Sequence, residues 1–259
     1  MAGNNRRGIV IQERDRQLLR ELAVMRVMDR EQAKCVAGFG TTTQVNGRLL
    51  RLTRAGLLQR FFLGTKAGGR KALYALSQGA AKLVDVPFRG PRRSHDEVLV
   101  ADFFVTHQLS INRIYCALKF RSNPVADTTF GKWLNFYEPL EVGSRLIPDG
   151  YVEIQNPTKT LAAFLEVDLG HEGLTVWRSK VESYLRYAIS GSFSKRFGLP
   201  QFRVLVIANT ERRMHSLRTA TLGLTDKIFW FTTVEAVTRD GFWSSIWLRA
   251  KSEELQSLL

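Results

Sequence analysis

The sequence predicts an α/β protein in two parts: a basic helical segment closed by a hairpin, then a larger segment alternating strands and helices around a mixed sheet. Three observations predict it. Successive helical periods run to Gly56 and are followed by two strand-like runs around a glycine-rich turn. Strand and helix signals alternate from Trp133 onward, the pattern of a layered α/β sheet. The charge is segregated: residues 1–95 hold 19 Lys and Arg against 6 Asp and Glu, a net of +13, whereas residues 96–259 hold 19 against 18, a net of +1.

With 259 residues and 44% hydrophobic content the chain can bury a sizeable core. No stretch approaches the roughly 18 apolar residues of a membrane helix, and the opening residues lack the apolar core of a secretory signal, so a cytoplasmic location and no membrane partner are expected. Cys35 and Cys116 lie far apart and the four histidines are scattered, so neither a disulfide framework nor a zinc site is indicated, and both cysteines are expected to be small core residues. A +13 segment points to a polyanion partner, because each neutralised phosphate releases counterions and adds affinity irrespective of sequence. Nucleic acid fits better than anionic lipid, since no basic amphipathic helix with an aromatic face occurs there.

The first helical stretch, "ERDRQLLRELAVMRVM" (13–28), repeats apolar residues at Leu18, Leu19, Leu22, Met25 and Met28. The second, "DREQAKCVAGF" (29–39), starts at the N-cap candidate Asp29 and ends at Gly38. The third, "TTTQVNGRLLRLTRAG" (41–56), opens with threonines able to cap and closes at Gly56. Within it Val45, Leu49 and Leu52 are expected to face inward. Gln44, Arg48 and Arg51 form a second stripe with Thr43, Gly47 and Arg54 beside it, a polar and basic face able to reach base edges. "LLQRFFLG" and "ALYALS" read as strands about the turn "TKAGGRK", which carries Lys66, Arg70 and Lys71.

This order of helices, wing and basic residues resembles a winged helix-turn-helix over residues 1–86. The resemblance implies that the third helix enters the major groove of double-stranded DNA through Thr43, Gln44, Arg48, Arg51 and Arg54, while Lys66, Arg70 and Lys71 hold phosphates or touch the minor groove. A homodimer reading repeated half-sites is compatible with such a domain. The alternative is that these arginines only solvate a surface or serve protein contacts.

"VDVPFRGPRRS" (84–94), with two prolines, a glycine and three arginines, has linker composition, placing the boundary at residues 87–94 and the second domain at 95–259. From the cap candidate Ser94, a helix is expected through Val98, Ala101, Phe104 and Val105, with His95 and Glu97 in its first turn. Further on, "EVGSRLIPDGYVEI" (141–154) and "KTLAAFLEVDLG" (159–170) read as strands about the hairpin turn "QNPTK", and "GLTVWRSKVESYLRYAIS" (173–190) as a helix. "FRVLVIA" (202–208) is a buried strand, "ERRMHSLRTATLGL" (211–224) a helix, and "KIFWFTT" (227–233) a strand before a short helix. Helices are expected on both sides of the sheet.

Side chains alternate along a strand, so Glu166 and Asp168 share one face while Leu165, Val167 and Leu169 share the other. A hairpin brings Asp149 alongside them. Three crowded carboxylates repel unless they share a cation, for which Mg²⁺, with Mn²⁺ as its substitute, is the natural occupant. A structural metal, or hydrogen bonds from Arg178 or Tyr184, would satisfy the pair equally.

"PDG" followed by "EVD" resembles the core of PD-(D/E)XK nucleases. Together with the N-terminal winged helix, the run "PDGYVEI…FLEVDLGHE…KVESYLRY" resembles the replication-relaxation family of plasmid and mobile-element proteins. The resemblance implies a restriction-endonuclease-like second domain in which Asp149 and Glu166 hold the metal and Glu97 supplies a further acidic ligand. It departs at Asp168, which stands where active members of the nuclease fold commonly carry lysine; Lys180 on the following helix is the candidate replacement, with the catalytic group then Asp149, Glu166, Asp168 and Lys180. Two functions follow: a DNA-binding regulator of transcription, replication or mobilisation whose nuclease-like domain is a scaffold, or a Mg²⁺-dependent endonuclease targeted by its winged helix.

Overall fold

A computed structural model describes residues 9–65, 68–90, 94–99, 102–121 and 127–259. It is an α/β chain with mixed sheets and, among the described residues, nine helices. It divides into two compact units, Met1–Asn112 and Arg113–Leu259.

In the first unit α1 (Glu13–Met25) is followed by β1 (Met28–Asp29), α2 (Arg30–Val36), α3 (Thr42–Arg54), β2 (Leu58–Gly64), β3 (Arg70–Leu76), α4 (Gln78–Leu83), β4 (Val98–Leu99) and the start of α5 (Phe103–Lys119). The helix starts follow from short polar side chains replacing the backbone partners that a first turn lacks. Asp29 accepts from the Gln32 amide while the Gln32 side chain accepts from the Asp29 amide, and Thr41 and Gln44 repeat the arrangement at α3. The apolar stripe Leu18, Leu19, Leu22 and Met25 of α1 is buried, as are Val45, Leu49 and Leu52 of α3. Strands β2 and β3 form an antiparallel hairpin, and the sheet order is β1-β3-β2-β4.

The helix expected from Ser94 begins later, at Phe103. Residues 96–99 instead run beside β2: the Asp96 amide donates to the Arg60 carbonyl at 2.6 Å, the Phe62 amide to the Glu97 carbonyl at 2.8 Å, and β4 pairs in parallel with β2. Asp96, at φ 58°, turns the chain out of helical geometry, and Asp102 caps α5 by accepting from the Val105 amide at 2.9 Å. Leu99 and Leu109 bury with Phe61, Leu73 and Val27, which is why the first unit extends to Asn112, beyond the segment 87–94 of linker composition.

The second unit carries a six-stranded sheet ordered β10-β9-β8-β7-β6-β5. In chain order its elements are β5 (Thr129–Leu134), β6 (Gly150–Gln155), β7 (Thr160–Asp168), α6 (Leu174–Ile189), α7 (Ser192–Phe197), β8 (Arg203–Ala208), α8 (Glu211–Leu222), β9 (Phe229–Thr233), α9 (Val234–Arg239) and β10 (Leu248–Arg249). Strands β5, β6 and β7 are antiparallel neighbours, β7, β8 and β9 run parallel, and β10 closes the far edge antiparallel. The strand expected from residue 141 begins only at Gly150. Before it the chain folds back on itself, the Leu140 amide donating to the Leu146 carbonyl at 2.9 Å through a turn at Gly143, φ 79°.

One sheet face supplies Tyr151, Ala162, Phe164, Val204, Val206, Phe229 and Phe231 to a core completed by Trp177, Val181, Tyr184 and Tyr187 of α6 and Met214 and Leu217 of α8. At roughly 25 cal/mol per Å² of apolar surface, the aromatic side chains concentrated here dominate the unit's stability. Glu166 and Asp168 fall in the same alternation as Ala162 and Phe164, so β7 delivers both carboxylates to the face that α6 covers.

Candidate functional site

In the second unit three of the expected residues come together. Glu166, 2% exposed, accepts from the Lys180 ammonium at 2.9 Å through Oε2 and from the Tyr184 hydroxyl at 2.6 Å through Oε1. Lys180 and Tyr184 lie one helical turn apart on α6, so one face of that helix presents both donors to β7. Lys180 also pairs with Glu172 at 3.2 Å, just after the β7 turn. Asp149 is placed by the β6–β7 pairing: its amide donates to the Leu165 carbonyl at 3.0 Å and its Oδ2 accepts from the Val167 amide at 2.7 Å.

Burial pushes the Glu166 carboxyl up, Lys180 opposes, and the Asp149 charge pushes it further, leaving it at about 7. Burial pulls Lys180 down, but Glu166, Glu172 and Asp149 outweigh it and hold the ammonium above its ordinary range. One cation is therefore set among three carboxylates, and the group has capacity for more positive charge.

Asp168 shares the face but not the cluster. Arg213 of α8 holds it by two parallel bonds of 2.7 Å, and its Oδ1 also accepts from the Gly170 amide at 2.7 Å. Arg213 further donates to the Glu172 carbonyl at 2.6 Å. This bidentate pair fastens the turn after β7 to the first turn of α8. The hydrogen-bond alternative foreseen for the acidic pair falls to Tyr184 for Glu166 and to Arg213 for Asp168.

Glu97 lies in the first unit, in the turn before β4, where its carboxylate accepts from the Ser94 amide at 2.7 Å. It is part of neither α5 nor the second unit. Among the described residues no group of three or more His, Cys, Asp and Glu side chains is placed to hold a metal ion. The donor chemistry of Asp149 and Glu166 suits Mg²⁺, which is held through one or two carboxylates and keeps several waters, but on Glu166 such an ion competes with Lys180.

In the first unit α3 exposes Thr43, Gln44, Gly47, Arg51 and Arg54 along one side. Arg70 at the start of β3 is exposed, and Lys71 pairs with Asp29 at 2.9 Å while remaining partly open. Lys66 lies outside the described residues. Arg48 differs from expectation: it is 6% exposed, its Nε donates to Asp15 Oδ1 at 2.7 Å, and its second nitrogen bonds Asp15 and the Val10 carbonyl. The reason is helical geometry. Arg48 stands three residues after Val45 and four before Leu52, which puts it on the buried stripe, not on the outward face. Asp15 precedes Leu18, Leu19 and Leu22 at the same spacing on α1 and is 1% exposed. Those matched positions were the sequence signal for the pair.

Fold and site together define an α/β protein in which a basic helical unit precedes a sheet bearing a buried carboxylate and lysine cluster. The replication-relaxation family matches residues 19–201, more than half of the chain, and the chain belongs to that family. Membership carries a replication-related role. No curated protein and no solved structure matches the chain. Among the described residues no helix is long and apolar enough to cross a membrane.

Proposed function

We propose that the protein is a DNA-binding replication or mobilisation factor of a plasmid or mobile element, reading duplex DNA with a winged helix-turn-helix built from α1, α2, α3 and the β2–β3 hairpin. The observation that carries this reading is the exposed side of α3. Thr43, Gln44, Arg51 and Arg54 stand outward in a segment whose net charge is +13. Arginine forks suit guanine edges and phosphates, and Gln44 offers an amide for adenine. Arg70, at the start of β3, is a phosphate contact of this reading, as is Lys66 by its place in the sequence, and Lys71 joins them where its pairing with Asp29 leaves it open. Arg48 is not among the contacts, being committed to Asp15. A homodimer would place two such helices on repeated half-sites.

Fluorescence anisotropy on duplex fragments from the gene's own upstream region tests it. Arg51→Ala and Arg54→Ala should each cost about 1–3 kcal/mol of binding free energy, with circular dichroism unchanged. Wild-type affinity in both variants would remove α3 as the reading helix.

A second reading is favoured by one observation, the Lys180 ammonium 2.9 Å from Glu166. That is the placement a Mg²⁺-dependent phosphodiesterase needs when the residue two after its glutamate is not lysine. Bound Mg²⁺ would polarise the phosphate and the attacking water. Asp149 and Glu166 would hold it, and Lys180 would stabilise the charge that develops as water bonds to phosphorus and the sugar oxygen leaves. Supercoiled plasmid incubated with Mg²⁺ or Mn²⁺ decides: nicking that is lost in Glu166→Ala and in Lys180→Ala supports the enzyme, and intact plasmid with retained duplex binding supports the scaffold.

A further inference from the structure

Beside the carboxylate cluster, on the same helix, α6 borders a groove of about 520 Å³ with the loop 141–145. Its lining includes Arg145, Ser179, Ser183 and Arg186, together with Glu141. Ser179 and Ser183 each immediately precede a residue of the cluster, Lys180 and Tyr184. Groove and cluster thus take alternate side chains of the same helical stretch. The loop is fixed where it meets the groove: the Leu140 amide donates to the Leu146 carbonyl at 2.9 Å, the Ser144 amide to the Glu141 carbonyl at 3.1 Å, and Arg196 to the Leu140 carbonyl at 3.0 Å.

Some of the unit's cations are neutralised, Lys180, Arg213, Arg218 and Arg239 each having a carboxylate partner. Neither Arg145 nor Arg186 has one among the described residues, and both are exposed. Arg186 is oriented by donating to the Ser183 hydroxyl at 3.0 Å, and Ser183 in turn donates to the Ser179 carbonyl at 2.8 Å. Glu141 opposes the positive charge, its carboxylate accepting weakly from the Ser190 hydroxyl at 3.5 Å. At the loop tip Val142 is fully exposed, an apolar side chain beside a cationic groove. Unpaired guanidinium groups converging on a polar groove are the arrangement that binds phosphate oxygens.

From this juxtaposition we infer that the groove is a second nucleic-acid contact, in which Arg145 and Arg186 grip the phosphodiester backbone of a DNA strand beside the Asp149, Glu166 and Lys180 cluster. The contact belongs to the second unit alone and does not depend on α3. It gives that unit a purpose on DNA whether or not the cluster cleaves.

The test uses the full chain and a fluorescein-labelled 20-base-pair duplex, with affinity measured across a salt series. Each phosphate contact contributes about 0.9 to the slope of log affinity against log salt. Arg145→Gln with Arg186→Gln should make the slope shallower by about 1.8, and Glu141→Gln should tighten binding. Arg145 and Arg186 are exposed and Glu141 is half-buried, so circular dichroism and melting should be unchanged in the double arginine variant. An unchanged slope and affinity within twofold in the double variant overturns the proposal. Parallel Arg51→Gln with Arg54→Gln separates the two surfaces: loss there alone leaves α3 standing and removes the groove, whereas loss in the groove variant alone does the reverse. Inorganic phosphate, titrated calorimetrically, is the second arm. Phosphate binding that the double variant abolishes, with duplex binding untouched, would make the groove a free-oxyanion site and overturn the backbone assignment.

Discussion

Arg48 with Asp15 in the first unit and Lys180 with Glu166 in the second are both buried pairs of a cation and a carboxylate, yet they are built to opposite ends. The Arg48 pair is closed. Its guanidinium meets both oxygens of one carboxylate and a carbonyl, the two side chains are 7% and 1% exposed, and the charges cancel. The Lys180 group is open and unbalanced: one ammonium, 21% exposed, faces Glu166, Glu172 and Asp149. Asp168 with Arg213, on the same strand as Glu166, belongs with the closed pairs. A neutral, fully bonded pair fixes two elements and has nothing left to offer a ligand. A buried carboxylate with two further carboxylates nearer the solvent and only one cation among them can take another cation, and it is there that chemistry is to be sought.

The largest expected effect breaks the closed pair. Arg48→Ala leaves the Asp15 carboxylate buried without its partner, which typically costs about 3–5 kcal/mol. The first unit's urea transition should shift to much lower denaturant, while Arg48→Met combined with Asp15→Leu should recover most of the loss, because both charges leave together. Arg48→Ala with an unchanged transition would show that the pair carries little of the unit's stability. Loss of DNA binding in this variant must be read together with its stability, since here the arginine acts through the fold.

The second effect sharpens the open site and is a pH dependence. The Glu166 carboxyl stands at about 7 in the folded protein, above its ordinary value, because burial and the Asp149 charge disfavour its ionised form. The sign follows from linkage. The folded state binds this proton more tightly than the unfolded chain, so the group's stabilisation is full below about pH 4.5 and is lost as pH rises through about 7. Urea midpoints of the second unit should therefore decline across that window, and Glu166→Gln should flatten the decline. Cation binding runs the other way, because a metal needs the ionised carboxylate: Mn²⁺ affinity should rise from pH 6 to pH 8 in the wild type and be lost in Glu166→Gln. A wild-type stability profile no steeper than that of Glu166→Gln would mean that Glu166 is already ionised throughout the range.

Much of this was legible in the sequence, and what was not shares one cause. Local signals suffice for the caps at Asp29 and Thr41, the apolar stripe of α1, the β6–β7 hairpin and the alternating run that puts Glu166 and Asp168 on one face. These depend on neighbours a few residues apart. The misplaced features depend on distant partners. Arg48 looked like an outward cation until Asp15, 33 residues away, was there to bury it. Residues 96–99 looked helical until β2 offered its edge, and Asp168 looked like a metal ligand until Arg213, 45 residues on, took both its oxygens. Lys180 was legible only through the resemblance to the nuclease core, as a lysine on the helix that follows β7, and Tyr184 lies one turn further along that helix.

The smallest effect discriminates most finely, because it changes the open site without touching its charges. Tyr184 is fully buried and its hydroxyl donates to Glu166 Oε1 at 2.6 Å. Tyr184→Phe removes one bond to a carboxylate and keeps the ring in the aromatic core, where it lies 5.7 Å from Phe164 and 6.0 Å from Phe229 between centroids. The stability loss should be about 1–2 kcal/mol. Because that hydroxyl favours the ionised carboxylate, its loss should move the Glu166 transition to higher pH, opposite to the flattening produced by Glu166→Gln. A residue that merely fills space would lower the urea midpoint equally at every pH. A displaced transition, followed by ¹³C chemical shifts of labelled glutamate, would instead show that Tyr184 sets the proton affinity of Glu166 and so positions the carboxylate for whatever cation the cluster takes.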